Sequence, residues 1–246
     1  MNTAIILAAG VGQRMRNSGL PKQFLSLFGK PIVAYTLEKF QQMEEIDRIV
    51  IVCREGYTER MREVVRDYHI HKAERMIIGG ESRQSSLRKG LDEARRLGGE
   101  TDIVVIHDGV RPLVSSTSIR ENIRIAAAHG AAMTVHPVTE SVVVSASLKV
   151  GLQAFKKRAD TYSLTSPQSF RLGEVLQAYA DMEADSGKGE SGTIPLLDAA
   201  MVYAHYIHDV VIVKETGSNI KITTPEDYYY LKAMIEMEEN RVIFGL

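Results

Sequence analysis

Ala4-Ile5-Ile6-Leu7-Ala8-Ala9-Gly10-Val11-Gly12-Gln13-Arg14-Met15, followed by Pro21-Lys22-Gln23, opens the chain with a short apolar run that stops at glycine. An unbroken apolar run bounded by turn residues marks a strand buried on both faces. The small residues after it let backbone approach a ligand closely, and their free N–H groups can cradle oxyanions. Arg14 and Lys22 put two cations beside that loop. A plain strand-to-helix turn with solvated basic residues has the same pattern. Met15 stands where the third glycine of G-x-G-x-x-G would fall, and no G-K-[ST] is present. Both absences count against the dinucleotide and P-loop readings.

Outward from this strand, further apolar runs at 46–53, 75–78, 101–107 and 132–137 read as strands. Segments at 31–43, 58–69, 85–97, 116–129 and 225–240 carry helical spacing. Strands that alternate with helices and are apolar throughout predict an α/β fold: a Rossmann-like, mostly parallel sheet with helices on both faces. Ligands of such sheets lie at the carboxyl ends of the strands. Residues 138–160 break the rhythm. Ser141-Val142-Val143-Val144-Ser145 reads as a strand with Leu152-Gln153-Ala154-Phe155 as its partner, forming either a protruding β-hairpin arm or an ordinary edge hairpin. Residues 1–246 are expected to form one domain carrying this arm.

Composition excludes several classes. The 246 residues are 44% hydrophobic and 25% charged, with 30 basic against 31 acidic residues and a net charge of −1. No global field draws the protein to nucleic acid or an anionic membrane, so any anion site is built locally. One cysteine, Cys53, lies inside an apolar run; it cannot form an internal disulfide and reads as a core residue. Met1-Asn2-Thr3-Ala4 lacks a charged leader, and no run of about 18 apolar residues occurs, so a cytoplasmic protein is expected.

Other residues carry chemistry. Gly79-Gly80 precedes the helix that holds Ser86, where backbone groups and a hydroxyl can meet the edge of a base; Ser82 or Ser85 capping that helix explains the same residues. Asp108 falls at the end of a central strand, where a carboxylate suits Mg²⁺, although an N-cap or a solvated pair is the blander reading. Asn219-Ile220-Lys221-Ile222-Thr223 reads as a strand delivering a lysine to a ligand or merely to solvent. Thr224-Pro225 then opens the last helix.

The opening loop with Pro-Lys-Gln resembles the nucleotide loop of sugar-nucleotide pyrophosphorylase-type transferases. The Lys-Gln form resembles the branch comprising 2-C-methyl-D-erythritol 4-phosphate cytidylyltransferase and ribitol-5-phosphate cytidylyltransferase. Gly79-Gly80-Glu81-Ser82-Arg83-Gln84-Ser85-Ser86, His107-Asp108-Gly109-Val110-Arg111-Pro112, Ser166-Pro167-Gln168 and residues 219–227 are similar to further motifs of that family, in the same order. The resemblance implies CMP transfer from CTP to a small polyol phosphate. It implies Arg14, Lys22 and Lys221 as the catalytic cations and Asp108 as the Mg²⁺ ligand. CTP would lie on Ala8, Ala9, Gly10, Gly12, Gly80, Arg83, Ser86, Asp108 and Gly109. The polyol phosphate would lie on Arg111, Ser141, Arg158 and Asp198. It further implies a homodimer in which the arm of one subunit completes the neighbouring site.

Acceptor identity is open on these residues. Ala8-Ala9-Gly10 leans towards the methylerythritol enzyme, the leading expectation by a narrow margin, and Val110 before Arg111 leans towards the ribitol enzyme. Leu196 and Leu197 stand where relatives carry a hydroxyl and a carboxylate, with Asp198 kept. A reading from another class, a nucleotide-binding dehydrogenase, would need an acidic ribose-binding residue after the second strand, for which Glu55 is the candidate.

Overall fold

A computed structural model of the chain describes residues 1–10, 20–147, 149–185, 196–215 and 217–244. The first strand, β1 (Asn2–Ala8), is followed by a tight hairpin of β2 (Ser26–Leu27) and β3 (Lys30–Pro31). Phe28 and Gly29 form its two-residue turn with φ of 50° and 78°, the left-handed pair such a turn needs. Then follow α1 (Ile32–Gln42), β4 (Arg48–Cys53), α2 (Thr58–Asp67), β5 (Ala73–Ile78), α3 (Arg83–Leu97), β6 (Ile103–Asp108), α4 (Ser116–His129) and β7 (Ala131–Pro137). The chain continues with β8 (Tyr162–Arg171), α5 (Leu172–Asp185), α6 (Ala199–Tyr206), β9 (Val211–Lys214) and α7 (Pro225–Phe244).

The main sheet has seven strands in the order β5-β4-β1-β6-β8-β7-β9. β5, β4, β1 and β6 run parallel, as the continuous apolar runs require; β8 is antiparallel to both β6 and β7. The α/β reading therefore holds. Alternate residues of each central strand face opposite layers. Ile6, Ile49, Ile51 and Val105 pack with α1, α2 and α4. Ile5, Val50, Val52, Val104 and Ile106 pack with α3, α5 and α6. Burying such side chains contributes about 1.5–3 kcal/mol each. A smaller cluster of Leu27, Ile32, Val110, Ile222 and Leu231 seats α7 beside the carboxyl edge of the sheet.

One expectation changes. Residues 219–223 are not a strand: Asn219 has φ of 28°, which breaks an extended run, and Ile222 N–H bonds the Val110 carbonyl as an isolated contact. The hairpin expected at 138–160 is present but short: among the described residues its two segments meet antiparallel at a Val143–Phe155 bridge, flanked by Val144 N–H to the Ala154 carbonyl at 2.9 Å and Lys156 N–H to the Val142 carbonyl at 2.8 Å. Leu152–Ala154 forms a 3₁₀ turn and Arg158–Asp160 another. Its ends are continuous with the β7–β8 pair, through Pro137 opposite Tyr162 and a Val138 N–H to Thr161 carbonyl bond. β7 is antiparallel to β8, which is antiparallel to β6, so the segment leaves from the same edge as the carboxyl ends of β1 and β6.

Candidate active site

Strand register brings the site residues together. Leu7 pairs with Asp108 of β6 and with Val52 of β4, so β1, β4 and β6 end at one level. Above that level Ala8, Ala9, Gly10, Lys22, Gly80 and Arg83 border a cavity of about 280 Å³, with Ser86, Asp108 and Lys221 also in its wall. The small residues are dictated by close packing. A Cβ on Gly79 would stand 2.5 Å from the Ala9 Cβ and 2.9 Å from Ser86 Oγ. Gly109 is held by its N–H to the Leu7 carbonyl at 2.9 Å, and a Cβ there would come within 3.3 Å of Ala8 Cβ. Gly80 N–H donates to Ser86 Oγ at 3.0 Å, and Ser86 Oγ in turn donates to the Gly80 carbonyl. Ser82 caps α3 in a reciprocal box with Ser85, as the capping reading expects, and Gly80 and Ser86 also lie in the cavity wall.

Gln23 was legible only as part of a motif, and the structure gives it a task. It is buried, and its Nε2 donates to the Ala8 carbonyl at 2.7 Å, tying the segment that carries Lys22 to the end of β1. Lys22 itself lies in a single 3₁₀ turn, Lys22–Phe24.

Asp108 is the electrostatic centre. Its Oδ2 lies 3.0 Å from Lys221 Nζ and 3.2 Å from Arg111 Nε, and its Oδ1 lies 3.5 Å from Arg83 Nη2. Burial alone would push its carboxyl pKa upward. Lys221, Arg83 and Arg111 together outweigh burial and hold the group ionised, well below the usual carboxylate range. Lys221 reaches it from a loop rather than a strand.

Behind the carboxylate runs a closed circuit of buried polar groups. Asp108 N–H donates to Ser166 Oγ at 3.2 Å, and Ser166 Oγ is 3.0 Å from His107 Nδ1. His107 Nε2 is 3.1 Å from the Arg111 carbonyl. A carbonyl only accepts, so Nε2 carries the proton and Nδ1 accepts from the serine hydroxyl. Burial lowers the His107 pKa to about 4, which keeps that neutral tautomer at neutral pH. Asn219 Nδ2 donates to the Ser166 carbonyl at 2.6 Å, and Arg111 Nη1 donates to the Asn219 carbonyl at 2.8 Å. Ser166 and Asn219 were not singled out from the sequence as site residues, since a serine and an asparagine in isolation carry no signal.

Of the residues expected at the acceptor, Arg111 is only 12% exposed, with its guanidinium turned onto Asp108 and Asn219. Asp198 sits 3.2 Å from Arg83 Nη2. Ser141 and Arg158 are exposed on the 138–160 segment and, among the described residues, do not border the cavity; the Arg158 guanidinium donates to the Thr139 carbonyl at 3.5 Å. Leu196 is half-buried and Leu197 exposed. Gly12 and Arg14 lie outside the described residues. Glu55 is exposed and not part of the cavity wall.

Among the described residues no group of three metal-ligating side chains occurs. Asp108 is a single hard-oxygen donor, which fits a cation that brings its remaining ligands as phosphate and water, the habit of Mg²⁺.

A parallel sheet ending in a small-residue loop, with one carboxylate ringed by cations, is equipment for holding the phosphates of a nucleotide. The chain belongs to the IspD family: the family model, 2-C-methyl-D-erythritol 4-phosphate cytidylyltransferase, matches residues 2–237. Its reaction class is therefore cytidylyl transfer, and the dehydrogenase reading falls away. Over the full length of both chains it is 37% identical to the ribitol-5-phosphate cytidylyltransferase of Vibrio parahaemolyticus. It is 34% identical to the 2-C-methyl-D-erythritol 4-phosphate cytidylyltransferase of Clostridium botulinum, over 96% of this chain and 97% of that one. In fold it is similar to the crystal structure of 4-diphosphocytidyl-2C-methyl-D-erythritolsynthase from Anaerococcus prevotii, with a TM-score of 0.79, 24% identity and 96% of each chain covered.

Proposed function

We propose that this enzyme transfers CMP from CTP to ribitol 5-phosphate, releasing pyrophosphate and giving CDP-ribitol. The observation that carries the choice is similarity along the whole of both chains to proteins named for ribitol 5-phosphate, at 37% and 36% identity. Val110 before Arg111 agrees with it. This reverses the narrow order expected from the sequence. Methylerythritol 4-phosphate is the second reading, favoured by Ala8-Ala9-Gly10 and by the family description.

In the proposed reaction an oxygen of the acceptor phosphate attacks the α-phosphorus of CTP. A new P–O bond forms, the bond to the β-phosphate breaks, and its electron pair leaves with pyrophosphate. The nucleophile is already ionised at neutral pH, so no general base is needed. The barrier lies in bringing two anions together, which charge neutralisation and positioning lower. Lys22 and Lys221 serve that purpose, with Arg14 from outside the described residues. Gly80 and Ser86 meet the base, and Arg83 meets phosphate. Asp108 would hold Mg²⁺, which when bound adds positive charge at the phosphates. Ser141 and Arg158 would serve the acceptor of a neighbouring subunit in a homodimer, and the enzyme would work in the cytoplasm. Among the described residues no helix is long and apolar enough to cross a membrane.

Pyrophosphate release with CTP, Mg²⁺ and each acceptor in turn tests the choice. The expected result is a kcat/KM for ribitol 5-phosphate at least about tenfold above that for methylerythritol 4-phosphate, equal to about 1.4 kcal/mol of transition-state binding. The opposite preference reverses the assignment.

A further inference from the structure

Arg83 and Asp198 form a pair that joins the start of α3 to the start of α6. Arg83 is the first residue of α3 and borders the cavity. Its Nη2 lies between two carboxylates, 3.2 Å from Asp198 Oδ1 and 3.5 Å from Asp108 Oδ1. Among the described residues its Nη1 is buried without a hydrogen-bond partner. A desolvated guanidinium N–H in that condition is a donor whose partner has yet to arrive, and a phosphate oxygen is the matching acceptor.

Asp198 occupies the N-cap position of α6, where an aspartate ordinarily accepts a helix N–H, yet its side chain makes no cap hydrogen bond. The carboxylate is given to Arg83 instead. The approach is fixed by a second contact: Gln84 Nε2 donates to the Leu196 carbonyl at 2.6 Å, and Tyr179 Oη donates to Gln84 Oε1 at 2.6 Å. The segment at 196–198 is thereby clamped to the start of α3, at the point where Arg83 begins. An anionic Asp198 would repel an acceptor phosphate, which argues against direct contact with that group.

We propose that Asp198 is a positioning residue that acts through Arg83, holding one end of the guanidinium while the other end takes a substrate phosphate oxygen. The proposal rests on cytidylyl transfer and not on which polyol phosphate is the acceptor. The phosphate can come from CTP or from the acceptor, and the measurements separate the two.

The test is a double-mutant cycle of Arg83→Ala and Asp198→Asn, with Asp198→Glu as the conservative variant. CTP affinity is measured calorimetrically without acceptor, and kcat and acceptor KM at saturating CTP. Each single variant is expected to cost about tenfold in kcat/KM, with the double variant within about twofold of Arg83→Ala alone. Asp198→Glu is expected to restore most of the loss. Both single variants should move the same constant: CTP affinity if the phosphate is the nucleotide's, acceptor KM if it is the acceptor's. Multiplying losses in the double variant, or the two singles moving different constants, would overturn the proposal, as would full activity in Asp198→Asn. If Asp198→Asn does not fold, Asp198→Ser carries the same cycle. An assignment to the wrong acceptor would leave this cycle readable with the other one.

Discussion

One carboxylate at Asp108 faces three cations, and this sets its response to substitution. Asp108→Asn keeps the shape and removes the charge. Binding of CTP without Mg²⁺ should then hold or tighten, because a negative charge is taken from a cavity that receives a polyanion. Turnover with Mg²⁺ should fall by about 10²-fold or more, the usual scale for losing one electrostatic element of such a site. Calorimetry in EDTA and pyrophosphate release in Mg²⁺ give the two numbers, and a parallel fall in both would mean that Asp108 serves only to hold its cations in place. At this scale the sequence named Lys22, Gly80, Arg83, Ser86, Asp108 and Lys221, and the fold brings all six to one cavity. It could not tell which atoms of a named residue are spent internally. Arg111 looks in sequence like any substrate-side arginine, but two of its nitrogens are taken by Asp108 and the Asn219 carbonyl.

Helix α3 sets the placement of Arg83 and Ser86, and its seating on the sheet depends on one glycine. A Cβ on Gly90 would stand 2.7 Å from Ile5 Cγ2 and 3.1 Å from Val52 Cγ2. Both neighbours are β-branched, with stiff χ1, and sit in a fully buried layer, so neither can swing aside cheaply. Gly90→Ala gains up to about 1 kcal/mol of helix propensity. Overpacking costs about 1–3 kcal/mol. A net loss of about 1 kcal/mol is expected, which lowers the melting midpoint by about 2–4 °C in a chain of this size. A thermal melt checks the loss, and a rise in the midpoint would show that the layer relaxes. CTP affinity should weaken with it, because the start of α3 moves with its middle. The elements that escaped sequence reading have physical reasons. β8 reads Tyr162-Ser163-Leu164-Thr165-Ser166-Pro167-Gln168-Ser169-Phe170-Arg171, with polar residues where a buried strand normally carries apolar ones and a proline in its middle. Thr165, Ser166, Gln168 and Ser169 are nonetheless buried, because Thr165 Oγ1 donates to the Thr134 carbonyl, Ser166 Oγ donates to His107 Nδ1, the Ser166 carbonyl accepts from Asn219 Nδ2 and Gln168 Oε1 accepts the Ala200 N–H. Periodicity of hydrophobicity carries no trace of such a strand.

Taken as a whole, the molecule has its cavity and its 138–160 arm at the same edge of the sheet, yet the arm's two expected acceptor residues do not reach that cavity. Arm residues Val143, Val144, Leu152 and Phe155 are exposed, Leu152 by 86%. One β-bridge does not make an arm stable alone, since even a full isolated hairpin is marginal in water. In the homodimer proposed above, a second copy of the chain would cover these exposed apolar side chains and would deliver Ser141 and Arg158 to the neighbouring site. Replacing Leu152 and Phe155 together by aspartate places two charges in that contact and is expected to convert a dimer to a monomer by sedimentation velocity. Each monomer keeps its own Lys22, Gly80, Ser86 and Lys221, so CTP affinity should be unchanged. The acceptor KM should rise by about tenfold or more, the loss expected when a charged anchor for a phosphate is removed. A monomer with normal acceptor KM would place the acceptor site within one chain.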